Sequence, residues 1–513
     1  MKNLTTAILL IISIVAHTQT KQNQLVINEN QPIPDQGNGF YMNPILPGNY
    51  GDPSLVRVGD DYYVAYSRGN GMIIWHSKDL VNWEPVIRHR LPVGYSMVWA
   101  VDLQYFDSKF HLYMPINNYP GKTNGAFGNF VISAEKAEGP WSEPINIEFD
   151  TPEGESSIDP GFVQTPDGEK YLYVNHGFAV KLNKKGTKAV TKPKEVYKGW
   201  QYPTDWVVEC MCLESPKLFY KDEYYYMVSA QGGTNGPSTA HMSVVARSKH
   251  PLGPWENSPY NPLTHTYSDD EKFWHQGHGT VFETVDGSWW TIYHGRINNY
   301  QSMGRPTLLM PVEWTEDGWP IMKPGVLAEG LIKKPEGETV AHGLILSDDF
   351  SSNEPGMQWT FDNSKAKQLK FGNGKLVITA SGEKHREAMS ISQYAVNKSF
   401  IVQVKITNAN QENLSGLKLG HEGIATDGEN VFFTEAPAWR HKHSVYPIEK
   451  NKPLWLKIVN YRKNISFFYS NDAINWKKFV DSSRNSNSYN ISLFAAGKGD
   501  ITFEEFTYTG LEK

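Results

Sequence analysis

The stretch Asn43–Trp83, NPILPGNYGDPSLVRVGDDYYVAYSRGNGMIIWHSKDLVNW, decides the fold. It opens on the turn Pro47-Gly48-Asn49 and presents one acidic residue, Asp52, just before a strand. A hairpin follows: Leu55–Val58, a turn at Gly59-Asp60-Asp61, then Tyr62–Tyr66. A further strand runs into Ser77-Lys78-Asp79-Leu80 and ends at Trp83. Alternating aromatic and branched residues between Asp/Gly turns are the pattern of short antiparallel strands.

The same pattern recurs four times. VDLQYFDSKFHLYMPIN starts at Val101, IDPGFVQTPDGEKYLYVN at Ile158, LESPKLFYKDEYYYMVSAQGG at Leu213 and GHGTVFETVDGSWWTIYHG at Gly277. The openers Asp52, Asp102, Asp159, Glu214 and His278 are spaced by 50, 57, 55 and 64 residues. That is the period of four-stranded propeller blades. Second halves repeat too: WHSKDLVNWEP, VISAEKAEGPWSEP and VVARSKHPLGPWENSP each join a strand to a Trp through a charged turn. Unit three departs from this, running AVKLNKKGTKAVTK. The run TLLMPVEWTEDGWPIM (307–322) has strands but no new opener and is expected to complete the last blade. A chance resemblance among strands of an ordinary sandwich would not keep opener, hairpin and spacing together five times.

Working outward, residues 1–18 read as an export signal: Lys2, an apolar core from Ala7 to Val15, and a small-residue site at Ala16-His17-Thr18. The apolar run is too short to span a bilayer comfortably, so a soluble, exported (periplasmic or secreted) protein without stable membrane insertion is expected. Residues 19–42 form a polar leader, 43–332 the propeller, 333–343 a charged Pro/Gly linker, and 344–513 a second β-rich domain. Period-two alternation in FIVQVKI and ISFFYS there indicates a β-sandwich. The expected fold class is all-β, a five-bladed propeller followed by a sandwich. The sandwich turn SNDAINW echoes SKDLVNW of blade one without making a sixth blade.

A net charge of −6 gives no electrostatic case for nucleic acid or an anionic membrane; a neutral polymer such as a polysaccharide is compatible. The two cysteines, Cys210 and Cys212, are too few for a zinc site. At i, i+2 on one strand face a bond between them would distort the backbone, so buried thiols are expected. Inner strands of a propeller line its central channel, so the openers converge. Several carboxylates in one funnel cannot all stay ionised. Glycoside hydrolysis needs that division, one carboxylate activating water and one acid protonating the departing oxygen.

The motifs NPILPGNYGDPS, SSIDPGFVQTPDGEKYLYV, LESPKLFYKDEYYYMVSA, GHGTVFET and MGRPTLLMPVEWTEDGWP together resemble glycoside hydrolase family 43 over residues 43–325. The C-terminal segment resembles the concanavalin-like sandwich that accompanies such propellers. The resemblance implies an inverting enzyme in which Asp52 is the general base and Glu214 the general acid. The acid's ordinary pKa of about 4.3 must then rise toward ~6–7. Asp159 matches the third carboxylate, which raises and orients the acid. His278 stands where the family has a histidine beside a central metal ion, usually calcium, although calcium prefers oxygen ligands. Arg305 matches an arginine reaching the sugar and the base, with Pro306 in place of the usual acidic residue. Trp99 is placed to stack on a sugar face or to pack in the core, and Asp102 to position substrate or serve structure. The expected activity is exo-acting release of pentose, β-D-xylose first and α-L-arabinofuranose second, with galactose a further candidate. A non-catalytic carbohydrate-binding propeller and a retaining hydrolase are the rival readings. The first would need no acid and base pair.

Overall fold

A computed structural model describes residues 29–122, 127–152, 157–382, 387–435, 445–450, 452–482 and 488–512. The expected export signal and the first part of the expected leader lie outside the described residues. Among those described, helix is limited to 3-10 turns such as Asn175–Gly177, Gln301–Met303 and Asn363–Gln368. None of the helices is long and apolar enough to cross a membrane.

Blade one is a four-stranded meander of Ser54–Val58, Asp61–Ser67, Gly71–Ser77 and Glu84–Arg90. Blade two begins at Asp102–Phe106, blade three at Gly161–Gln164, blade four at Glu214–Lys221 and blade five at Phe273–Glu283. The 307–322 run supplies the third and fourth strands of blade five, Thr307–Trp314 and Pro320–Met322.

Each blade alternates which face its side chains take, so both faces must be covered, and neighbouring blades do this for one another. Ile74 and Met72 of blade one meet Leu112 and Met114 of blade two. Tyr113 and Val131 of blade two meet Phe162 and Leu172 of blade three. Tyr173 and Ala179 then pack with Met227 and Ala246, and Val228 and Val245 with Val281 and Trp319. Trp75 and Trp83 of blade one share a core with Ile292 and Leu308 of blade five, which closes the ring.

The closure is stitched by the segment ahead of blade one. Ile45 N–H donates to Thr307 O at 2.9 Å, and the Asn43 side chain exchanges hydrogen bonds with Leu309 backbone at 3.0 and 2.9 Å. Phe40–Met42 pairs antiparallel with Leu331–Lys333. Further upstream the leader belongs to the other domain: Gly510 N–H donates to Glu29 O and the Asn30 side chain to Gly510 O.

The second domain is a sandwich of a seven-stranded and a six-stranded antiparallel sheet. Phe400–Thr407 alternates buried and half-buried at every residue, as FIVQVKI demands. The sandwich and the linker ahead of it are fixed to blade one: Arg90 Nη2 donates to Trp359 O at 2.9 Å, Asn363 Nδ2 to Leu91 O at 2.6 Å, and Gly343 N to Trp83 O at 2.9 Å.

The echoed turns have one architecture. Asp79 Oδ1 accepts from Val81 N and Asn82 N, Leu80 takes φ 64°, and Trp83 Nε1 donates to Leu80 O. Asp472, Ala473 (φ 58°) and Trp476 repeat every one of these contacts in the sandwich. The carboxylate satisfies two amides that a reversing chain would leave bare.

Candidate active site

The openers do not behave alike. Asp52, Asp159 and His278 have φ of 60°, 54° and 56°, and Ser215, next to Glu214, has 50°. This left-handed conformation is costly for a side-chain-bearing residue and persists where the surroundings over-determine it. It turns the side chains off the strand direction at the mouth of the channel. Asp52, Asp159, Glu214 and His278 all line one cavity of about 440 Å3, together with Trp99, Arg305, Glu209, Arg296 and Cys212. Asp102 is absent from the positive-φ set and from the cavity lining.

Arg305 clamps Asp52 with two parallel hydrogen bonds, Nη1 to Oδ1 and Nη2 to Oδ2, each 2.6 Å. Its stem crosses Gly51 so closely that a Cβ there would lie 2.6 Å from Arg305 Nε. Asn49 Oδ1 accepts from Arg305 N, and Arg305 O accepts from Tyr50 N, so base and clamp are built from one loop pair. His278 Nδ1 is 3.1 Å from Asp52 Oδ1 and 4.0 Å from Asp159 Oδ2. The Asp52 N–H donates to His294 Nδ1 at 3.1 Å.

These contacts divide the protons. Burial alone would raise Asp52, but the Arg305 charge, with His278 behind it, holds it well below the usual carboxylate range. Neither Asp159 nor Glu214 receives a side-chain hydrogen bond from the described residues. Burial pushes Glu214 up to about 7, with the Asp52 charge adding to it. Burial and then the Glu214 charge push Asp159 well above its ordinary value. With both carboxyls raised, their surroundings favour the protonated form of each. Asp159 was expected to raise Glu214 by standing ionised beside it. Both are raised, each first by burial: the Asp52 charge adds to Glu214, and the Glu214 and Asp52 charges add to Asp159, against opposing pulls from Arg305 and, at Asp159, from Lys217. Burial lowers His278 to about 3 and His294 to about 4, so both rings stay neutral at neutral pH.

Asp102 is a structural hub. It is 1% exposed; Oδ1 accepts from Ser54 Oγ and Lys217 Nζ, and Oδ2 from Phe162 N and Gln104 Nε2. Lys217 also donates to Val101 O and Pro160 O. One buried ion pair thus ties the inner strands of blades one to four. No carboxylate oxygen of Asp102 is left for a sugar.

Trp99 is 45% exposed on the cavity wall, its ring centroid 4.6 Å from that of Phe127. Cys210 and Cys212 are joined in a disulfide and are half-buried, in place of the expected buried thiols. The reason is local: both lie ahead of the Glu214 strand, where Cys212 takes φ 39° and brings the Cα atoms to 5.2 Å, inside the bonding range. Sequence reasoning missed His294, Glu209 and Arg296. His294 and Arg296 sit in YHGRINN, on the second strand of blade five, where the hairpin pattern marks no inward position.

Whether the residues fit a metal turns on His278. His278 Nδ1 lies 3.1 Å from Asp52 Oδ1, and Nε2 is buried with no hydrogen-bond partner among the described residues. A histidine whose other nitrogen donates to a carboxylate is the usual metal-ligand arrangement. Asp52, His278 and His294 also place ligand-type atoms within 4.8 Å of one another, but Arg305 occupies both Asp52 oxygens. The fit is therefore to an ion held by one imidazole, with calcium's remaining oxygens drawn from water.

A five-bladed propeller whose channel mouth collects an ionised carboxylate, two protonatable ones and an arginine belongs to the class of propeller glycoside hydrolases. More narrowly, the model of glycosyl hydrolases family 43 matches residues 41–320, and the chain belongs to that family. It is 34% identical over 350 residues to the non-reducing end alpha-L-arabinofuranosidase BoGH43B of Bacteroides ovatus, covering 64% of this chain and 62% of that protein. It is 34% identical over 325 residues to a xylan 1,3-beta-xylosidase of a Vibrio species, covering 55% and 57%. The chain thus spans about three fifths of the length of these curated relatives. The crystal structure of the GH43 BlXynB protein of Bacillus licheniformis superposes with a TM-score of 0.79 at 25% identity, covering 92% of this chain and all of that one. That coverage takes in the sandwich as well as the propeller.

Proposed function

We propose that this chain is an inverting, exo-acting glycosidase that releases terminal pentose, β-D-xylose first, from plant or algal polysaccharide or its oligosaccharides. The observation that carries the reading is the split in protonation: Asp52 held ionised by Arg305, Glu214 raised to about 7. Asp52 takes a proton from water as the water oxygen bonds to the anomeric carbon. Glu214 gives its proton to the glycosidic oxygen as the bond to that carbon breaks. Asp159 shares the acid's proton and keeps it available at neutral pH. Arg305 fixes the base, and Trp99 offers its ring to a sugar face.

α-L-Arabinofuranose is the alternative terminal unit, supported by the name of the Bacteroides ovatus relative. The His278 Nε2 lone pair would hold one position of a hydrated calcium ion, which would add positive charge beneath the carboxylates. Export ahead of folding, directed by residues 1–18, fits a polymeric substrate met outside the cell.

The test is a panel of aryl xylosides, arabinofuranosides and galactosides, with the product anomer followed by NMR. Turnover of the xyloside with inversion is expected. Retention would overturn the mechanism, and hydrolysis of none of them would overturn the activity. Full activity in Asp52→Asn or Glu214→Gln would remove both role assignments.

A further inference from the structure

One wall of the catalytic cavity carries polar groups that the acid and the base do not use. Arg305 commits both terminal nitrogens to Asp52. Arg296 lines the same cavity, yet no hydrogen bond or ion pair holds its guanidinium to a described residue. It is half-buried on the Trp289–Ile297 strand, opposite Trp274. Its Nε is buried without a partner, so the Nη end is what the residue offers to the cavity. A charge drawn partly out of water needs hydrogen bonds in place of that water, and here the chain supplies none.

Glu209 stands on the same wall, at its exposed rim. Its Oε2 accepts from Asn235 N at 2.7 Å and Gly236 N at 3.1 Å, and its own N–H donates to Gly232 O at 3.0 Å. The fit requires glycines: a Cβ on Gly233 would lie 2.4 Å from Oε2, and one on Gly236 2.7 Å from the Glu209 Cβ. From the other side His275, next to Trp274, holds Thr234 O through Nδ1 at 2.7 Å. The carboxylate is thus fixed by one oxygen, and Oε1 accepts from no described residue. Arg296 and Glu209 form no ion pair within 4.0 Å. Burial pulls Arg296 down and the Glu209 charge is among those pulling it back, so the two groups act on each other across a gap.

That gap selects a ligand class. An anion drawn to Arg296 would meet Glu209, and a cation drawn to Glu209 would meet Arg296. Two adjacent hydroxyls satisfy both, accepting from the guanidinium fork while one of them donates to Glu209 Oε1. Depth then assigns the sugar. Asp52, Asp159 and His278 form the floor at 7%, 5% and 3% exposure, where the terminal unit is cut. Glu209 lies at the rim, and after burial and Asp52 its charge also pushes up Glu214, the acid that meets the departing oxygen. We propose that Arg296 and Glu209 bind vicinal hydroxyls of the sugar on the leaving side of the scissile bond. The pair thereby sets which linkage the cavity accepts, an assignment that rests on the glycosidase reading. A xylose joined through O4 keeps O2 and O3 free on adjacent carbons. Joined through O3 it keeps O2 and O4, which are not adjacent.

The test compares the methyl β-glycosides of 1,4- and 1,3-linked xylobiose, in which the methyl group removes the anomeric hydroxyl. Dissociation constants are measured by calorimetry on the full chain carrying Glu214→Gln, alone and combined with Arg296→Met or Glu209→Gln. The 1,4-linked ligand should bind the Glu214→Gln chain about tenfold tighter, the size of one charge-assisted hydrogen bond. Either added substitution should narrow that ratio to about twofold. Glu209→Gln keeps a carbonyl oxygen for Asn235 and Gly236 and turns only the cavity oxygen into a donor, so a merely structural Glu209 would leave the ratio unmoved. It also carries the test should Arg296→Met fail to fold. A ratio of one or below, a preference that survives both substitutions, or binding of neither ligand would overturn the proposal. Aryl xyloside turnover by the chain with Glu214 intact is scored separately. Turnover without the linkage preference refutes only this inference, and the preference without turnover refutes only the catalytic one.

Discussion

Replacing Arg305 by Met should convert the base from a carboxylate held ionised into one that burial pushes toward the neutral form. Both guanidinium bonds to Asp52 are 2.6 Å, and the Asp52 side chain is only 10% exposed. Loss of a paired arginine moves such a carboxylate up by about 1–3 pH units. The acidic limb of kcat/KM should rise by that amount. Stability should change its pH dependence as well. In the parent chain the folded value of Asp52 is depressed. Its contribution is therefore present above the ordinary range near about 3.9 and lost as pH falls through the lower folded value. Without Arg305 the sign reverses, and stability falls as pH rises past the ordinary range. Breaking a buried pair costs about 3–5 kcal/mol; with Arg305 27% exposed, the lower end or less is expected. The assay is kcat/KM for an aryl xyloside from about pH 3 to 9, paired with melting temperature at each pH. Arg305→Lys, which keeps charge but not the two-pronged geometry, should fall between. A folded Arg305→Met chain whose acidic limb stays at the parent pH would refute the clamp.

Glu214→Gln should remove the alkaline limb near pH 7 and lower kcat by about 10²–10⁴, least for aryl leaving groups that need little protonation. Because Glu214 is raised in the folded chain, stability is lost as pH rises from its ordinary value of 4.5 to about 7 and stays lost above that. The Gln variant should therefore melt higher than the parent at alkaline pH, as calorimetry would show. Gly51→Ala puts a methyl group 2.6 Å from Arg305 Nε and should reproduce the Arg305→Met profile in weakened form. Lys217→Met leaves Asp102 buried and uncompensated, and should cost about 3–5 kcal/mol in denaturant melts. Lys217→Met with Asp102→Leu should recover part of that loss. Trp99→Ala should raise KM for xylosides by up to about tenfold with little change in kcat.

How far the molecule could be read without its fold depends on the range of each signal. Hairpin turns and the Ser-x-Asp-x-x-Asn-Trp corner act within a few residues, so their placement along the chain already specified five blades and the recurrence of that corner in the sandwich. Opener spacing then specified which side chains approach the channel. It could not separate Asp102 from the rest, because Asp102 differs in backbone φ and in the arrival of Lys217 from blade four, 115 residues away. His294 was invisible for the same reason: its partner Asp52 is 242 residues distant.

By itself, then, the sequence determined the repeat, the two-domain order and the carboxylate set, since each is written in local spacing. Tertiary structure alone decided how Asp52 is held ionised, that Cys210 and Cys212 are bonded, and that a hollow lies between the domains. Burial, Coulomb attraction and cavity shape are properties of groups brought together from different blades, and no window of sequence contains them.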